Sequence, residues 1–117
     1  PMFEEQKAAL DEHYQKQYSQ RMQGLTQAIW SNLKEQLLRV GGKRIHDGMA
    51  EDVRAAVDAL ALYNVDNDPE MTRIYNELRG IINHDFNEEK MRHGESYRKQ
   101  TKEQVQKVLD SLPSLSI

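Results

Sequence analysis

Phe3, Leu10, Tyr14, Tyr18, Met22, Leu25, Ile29, Leu33, Leu37 and Val40 recur at steps of four with an occasional three, after one double step from Phe3 to Leu10. This is the repeat of a single α-helical face, and it constrains the chain more than any other feature. The mean step of about 3.7 residues exceeds the 3.5 of a heptad seam, so straight or slightly right-handed packing is expected rather than a left-handed coiled coil. At 1.5 Å per residue, a continuous helix over 3–40 is about 55–60 Å long. A compact domain of this size has a radius of gyration of only about 13–14 Å. The helix therefore outruns its own domain, unless it breaks. Gly24 is the expected break or kink, because a glycine inside a helix costs about 1 kcal/mol relative to alanine. Otherwise another subunit covers the overhang.

The following segments are helical too. Val40-Gly41-Gly42 is expected to end the first helix through a left-handed glycine. A second helix, 49–64, starts after Asp47 or Gly48 and carries Met49, Val53, Ala56, Val57, Leu60 and Tyr63 on one face. Asn64 is expected to turn left-handed at its end, with Val65 packing back. In "VDNDPEM", Asp68 reads as an N-cap, Pro69 as the first helical residue and Glu70 as an acid at the positive end of the dipole. The third helix, 69–83, points Met71, Ile74, Tyr75, Leu78, Ile81 and Ile82 inward. Between His84 and Gln100 the apolar period nearly vanishes, so 84–100 reads as a polar exposed segment, either helix or mobile connector. Thr101 with Gln104 reads as a capping box that opens a last helix, 101–112, bearing Val105, Val108, Leu109 and Leu112. Pro113 stops it, and 113–117 is a short uncharged tail. With no strand pattern and no internal repeat, the expectation is all-α: one helical domain over 1–117, a small bundle of four to five helices with a long N-terminal helix or hairpin.

The apolar share is 38%, below the usual level for a globular domain, so part of the apolar surface is expected to be completed by a partner. The 19 acidic and 16 basic residues leave a net charge of -3. A strongly basic nucleic-acid domain is thereby excluded, and any such contact must come from a local patch or from patches summed around an oligomer. The absence of cysteine removes disulfides, thiolate metal sites and cysteine nucleophiles. No apolar run approaches the roughly 18–20 residues of a membrane span. The start, "PMFEEQ", lacks the basic and apolar regions of a secretory leader. A soluble, cytoplasmic protein with no membrane partner is expected.

Catalytic and metal patterns are weak. His84 with Glu88, and Glu89 with His93, have the i, i+4 spacing that sets two ligands on one helix face. Carboxylate-bridged bundles instead use Glu-x-x-His on two buried helices, so neither a metal nor any other cofactor is expected. G-x-S-x-G, the P-loop and H-E-x-x-H are all missing. His46-Asp47 is an orienting pair without a nucleophile, and an enzyme is not expected. Arg39, Lys43 and Arg44, with His46 beside them, admit two readings. They complement the negative end of a helix dipole, or they present cations to a phosphate backbone. Arg92, Arg98, Lys99 and Lys102 are interleaved with Glu88, Glu89, Glu95 and Glu103, the pattern of a solvated face. Tyr14, Tyr18, Met22, Leu25, Ile29, Trp30 and Leu33 are the candidate oligomer-interface residues, as aromatic and aliphatic anchors on an overlong helix.

The stretch "LKEQLLRVGGKRIHDGMAEDVRAAVDALALYNVD", Leu33 to Asp66, resembles the helical hairpin of short phage terminase small subunits, the DNA-packaging proteins of tailed phages. Leu37 and Leu38 match the Leu-Leu step of the first helix, ahead of a glycine-containing basic loop. Asp52, Val53, Ala56, Leu60, Asn64 and Val65 match the second helix and its close, although Tyr63-Asn64 stands where many members have Asn-Gly. The resemblance implies a ring-forming, non-catalytic protein that recognises viral DNA in the host cytoplasm and hands it to a large ATPase subunit. It also implies Arg39, Lys43 and Arg44 as DNA contacts and the tail from Ser114 to Ile117 as a docking peptide for a protein partner. The expected function is a non-enzymatic, self-associating helical binding protein of this kind. The alternative is a protein–protein module (inhibitor, scaffold or assembly chaperone) that binds no nucleic acid.

Overall fold

Helix α1 (Met2–Val40) runs unbroken in the computed structural model of the chain, which describes residues 2–113 except for the side chains of Met2, Tyr18 and Ser19. Gly24 does not interrupt it. This glycine is exposed, and a side chain there would meet nothing, so its cost is one of propensity alone and the i to i−4 hydrogen bonds pass through it. The protein is elongated as a result, 72 × 25 × 24 Å with a radius of gyration of 18.9 Å. The long helix of the sequence expectation is present, and the hairpin variant of it is not.

Among the described residues, the buried ones of α1 all lie in its last third. Ile29, Trp30, Leu33, Leu37 and Val40 are buried and form the floor of a single core cluster. Helix α2 (Met49–Leu62) packs on it through Met49, Val53, Ala56, Val57 and Leu60. Helix α3 (Pro69–Ile81) adds Met71, Ile74 and Leu78, and the short α4 (Glu88–His93) adds Met91. Helix α5 (Glu95–Ser111) closes the head against α1, α3 and α4 with Val105 and Val108. The described residues contain no strand, and no helix among them is long and apolar enough to cross a membrane. The chain is all-α, a small five-helix bundle with a long N-terminal helix.

Several local expectations hold at atomic level. Asp68 caps α3, its Oδ1 accepting from the Glu70 N–H at 2.9 Å, with Pro69 in the first turn. Others are corrected. Helix α1 ends in a tightened turn, Gly41 N–H to Leu37 O and Gly42 N–H to Arg39 O, and neither glycine is left-handed. The left-handed glycine is Gly48 (φ 81), where the chain enters α2. Asn67 (φ 51), not Asn64, turns left-handed between α2 and α3. Asn64 braces that turn instead, accepting from the Asp68 N–H at 2.7 Å and donating to Thr72 Oγ1 at 3.0 Å. Val65 stays exposed, and so does Tyr63.

The largest correction concerns 84–100. It is not an exposed polar stretch, because Phe86 and Met91 are fully buried and anchor it to the head. Asn87 caps α4, accepting from the Lys90 N–H at 2.9 Å. Gly94 separates α4 from α5: a Cβ there would stand 2.8 Å from the Lys90 carbonyl, which leaves no room for a side chain. Helix α5 therefore starts at Glu95, and Thr101 is a buried residue in its interior rather than its N-cap. Ser114 to Ile117, the expected docking tail, lie outside the described residues.

Phe86 is the largest fully buried side chain in the head. Its truncation to alanine is expected to cost about 3–5 kcal/mol, the range for large aromatic deletions. Denaturant unfolding of Phe86→Ala against the parent checks this; a loss under about 1 kcal/mol would show that 84–100 is not anchored.

Candidate binding surfaces

The basic loop sits at the far end of the molecule from the tip of α1, and three long-range ties hold its surroundings. Arg92, on α4, donates to the Ile45 carbonyl at 3.0 Å and to Asp47 at 2.6 Å. Glu88, in the first turn of α4, accepts from the Ala50 N–H at 2.9 Å. It supplies the cap that Gly48 cannot, since α2 receives no side-chain cap from its own N-cap residue. Arg54, one turn into α2, donates to the carbonyls of Asn83, His84 and Phe86. The loop over 41–48, the first turns of α2 and the segment over 83–92 are thus one knitted unit.

This knitting decides the local electrostatics. The Arg92 guanidinium holds the Asp47 carboxyl below its ordinary range. The Ala50 N–H does the same for Glu88, helped by the backbone of Glu88 itself. Asp47 is thereby committed to Arg92, although it stands only three residues from Arg44. Lys43 and Arg44 are exposed and have no ion-pair partner among the described residues. Arg39 is half-exposed and pairs with Glu35 at 3.0 Å, a one-turn surface pair of the kind that contributes little and yields readily to a stronger anion. The three cations predicted from sequence thus share one end of the head, two of them unpaired.

The His84–Glu88 pairing does not assemble. His84 precedes α4 and is almost fully exposed beside Asp85, so it does not share a helix face with Glu88, which is spent on Ala50. No group of three His, Asp or Glu side chains among the described residues is placed to hold an ion. An open groove lined by Arg54, Val57, Asp58, Arg79, Ile82, Asn83 and His84 flanks α2. Arg54 is already satisfied there by backbone carbonyls.

The second surface is the free length of α1. Phe3 (75% exposed), Leu10 (55%), Tyr14 (64%) and Leu25 (38%) have apolar groups in solvent, and Met22 is half-buried. Of the seven interface candidates, Tyr14, Met22 and Leu25 remain open to a partner. Ile29, Trp30 and Leu33 are corrected: the chain's own core covers them, because α2 and α5 lie on that part of α1. The Tyr18 side chain lies outside the described residues. Sequence reasoning missed Arg54, Glu88 and Arg92, whose partners lie 29 to 47 residues away; no local spacing signals such pairs.

No family model, no curated protein and no solved structure matches this chain.

The pKa directions carry a testable sign. A carboxyl held below its unfolded value stabilises the fold above that unfolded value, and loses the effect as pH falls through the lower, folded value. Glu88→Gln keeps an acceptor for the Ala50 N–H but removes the charge. The variant is expected to melt below the parent at neutral pH and to converge with it in acid, below the ordinary carboxylate range. Thermal melts across that range check it, and a gap that stays constant with pH would overturn the assignment.

Proposed function

We propose that this chain is a non-catalytic, self-associating binding protein in which the free length of α1 joins copies and the basic loop of the head faces a nucleic-acid backbone, as in a DNA-packaging adaptor of small-terminase type. The observation that carries the reading is the arm itself. Residues 3–25 of α1 contribute nothing to the core cluster, and their described side chains are exposed apart from the half-buried Met22, whereas helical stability in water otherwise comes mostly from packing one face. Contiguous apolar groups kept in solvent mark an association surface rather than a finished one. A second copy of the chain is always present at the concentration of the first.

The nucleic-acid part rests on Lys43 and Arg44. They sit on a loop held in place by Arg92, which also engages Asp47, the carboxylate three residues from Arg44. Cations of this kind position a phosphate backbone without reading its sequence. One loop makes few phosphate contacts, so firm binding requires more than one copy, and self-association through the arm supplies at least a second loop. The alternative, a protein–protein module without nucleic acid, draws on the net charge of -3.

Light scattering on a sizing column gives the mass, and duplex DNA titrated across a salt series gives the affinity. The adaptor reading expects an oligomer whose log affinity falls linearly with log salt. Lys43→Glu with Arg44→Glu should lower that slope by about one unit per phosphate contact removed. An intact oligomer with no DNA binding at low salt would leave the protein–protein module.

A further inference from the structure

We infer that the arm of α1 pairs with the arm of a second copy in antiparallel fashion, about a twofold axis at Tyr14; this rests on the self-association reading above. The stripe is symmetric in sequence. Phe3 and Leu25 stand eleven residues either side of Tyr14, and Leu10 and position 18 stand four residues either side. Eleven residues make three turns at about 3.67 per turn, so Phe3, Tyr14 and Leu25 fall nearly in line. With about 100° per residue, Phe3, Leu10, Tyr14 and Leu25 lie within an arc of about 60°. A twofold axis through Tyr14 sets Phe3 against the partner's Leu25, and Leu25 against the partner's Phe3. Such a contact is self-complementary and closes on itself.

Charge selects the direction. Residues 3–12 carry Glu4, Glu5, Asp11 and Glu12 against the single Lys7, whereas residues 13–25 carry Lys16 and Arg21 and no acid. A parallel pair stacks the acidic tips on each other. Of these, Glu4 and Asp11 border the stripe and Arg21 lies on it at about 100° per residue, so an antiparallel pair sets Glu4 and Asp11 of each tip within about a turn of the partner's Arg21, at both ends of the overlap. One contact opposes this and recurs at both ends: Lys7, within the same arc as the stripe, falls opposite the partner's Arg21. Glu4 and Asp11, one turn to either side of Lys7, supply counter-charge there.

The head does not obstruct the pairing. The arm stripe points about 100–120° round the helix from the line of Leu33, Leu37 and Val40 that the head covers. Its continuation along the head, Ala28, Asn32 and Arg39, is exposed. The partner's tip therefore has clear helix surface to lie against, and the two heads project from opposite ends of an overlap about 35 Å long at 1.5 Å per residue.

The native chain has no cysteine, which makes single-cysteine variants of the full chain clean probes. Ser31→Cys, exposed and off the stripe, carries a spin label without disturbing the arm. In the antiparallel pair the two labels stand about 50 Å apart, from 1.5 Å per residue on either side of position 14. Parallel arms bring them within about 20 Å of each other, roughly two helix diameters. Disulfide trapping gives an independent reading: Phe3→Cys mixed with Leu25→Cys should form the crossed dimer, while neither variant links to itself. Short spin-label distances with self-linking of Phe3→Cys overturn the antiparallel arrangement and leave self-association standing. A monomeric mass by light scattering at all concentrations overturns both.

Discussion

Everything in this fold hangs on the burial of one short face. Leu33, Leu37 and Val40 have no exposed surface, and α2 and α5 pack against the part of α1 that carries them. At about 1.5–3 kcal/mol per fully buried aliphatic side chain, these residues join α1 to the head more firmly than any of its surface ion pairs. They also orient the rest of α1. Because the helix is continuous, the packing of its last third dictates where residues 3–25 point. The arm is therefore an extension of the core rather than a tethered appendage.

The knitted end of the head shows how polar groups finish what apolar burial begins. Phe86 fills the core and brings the segment over 83–92 against α2, and the hydrogen bonds from Arg54, Glu88 and Arg92 then fix its register. Each engages backbone groups at the ends of elements: carbonyls after α3, the N–H of Ala50 at the open end of α2, the carbonyl of Ile45 in the loop. The same set of contacts also engages Asp47, the acid closest in sequence to Lys43 and Arg44. Fold and candidate site are built from the same bonds.

Much of this was legible in the sequence, and the limit has a physical cause. The 3.6-residue period placed α1, α2 and α3, and the Asp68-Pro69 pair marked a true helix start, because these signals are local. Phe86 and Met91 each anchor a short piece alone, so no period announces them. The capping pattern at Thr101 is a real local signal that lost to tertiary context, as Gly94 let α5 begin nearly two turns earlier, at Glu95. Adjacent glycines at 41 and 42 drew the left-handed assignment away from Gly48, where the backbone needed it. At the candidate site, the cluster of cations was visible from their spacing. Their freedom from Asp47 was not, since it depends on Arg92, 45 residues further along the chain.

The uninterrupted path of α1 through Gly24 gives the molecule a fixed phase as well as a fixed length. Each residue of helix advances the chain by about 1.5 Å and turns it by about 100°. One residue gained or lost between Leu25 and Ile29 would scarcely alter the reach of the arm. It would, however, swing the arm's stripe more than a quarter turn around the head. The stretch between Leu25 and Ile29 thus acts as a gear tooth between two faces, tolerant of substitution but not of insertion or deletion.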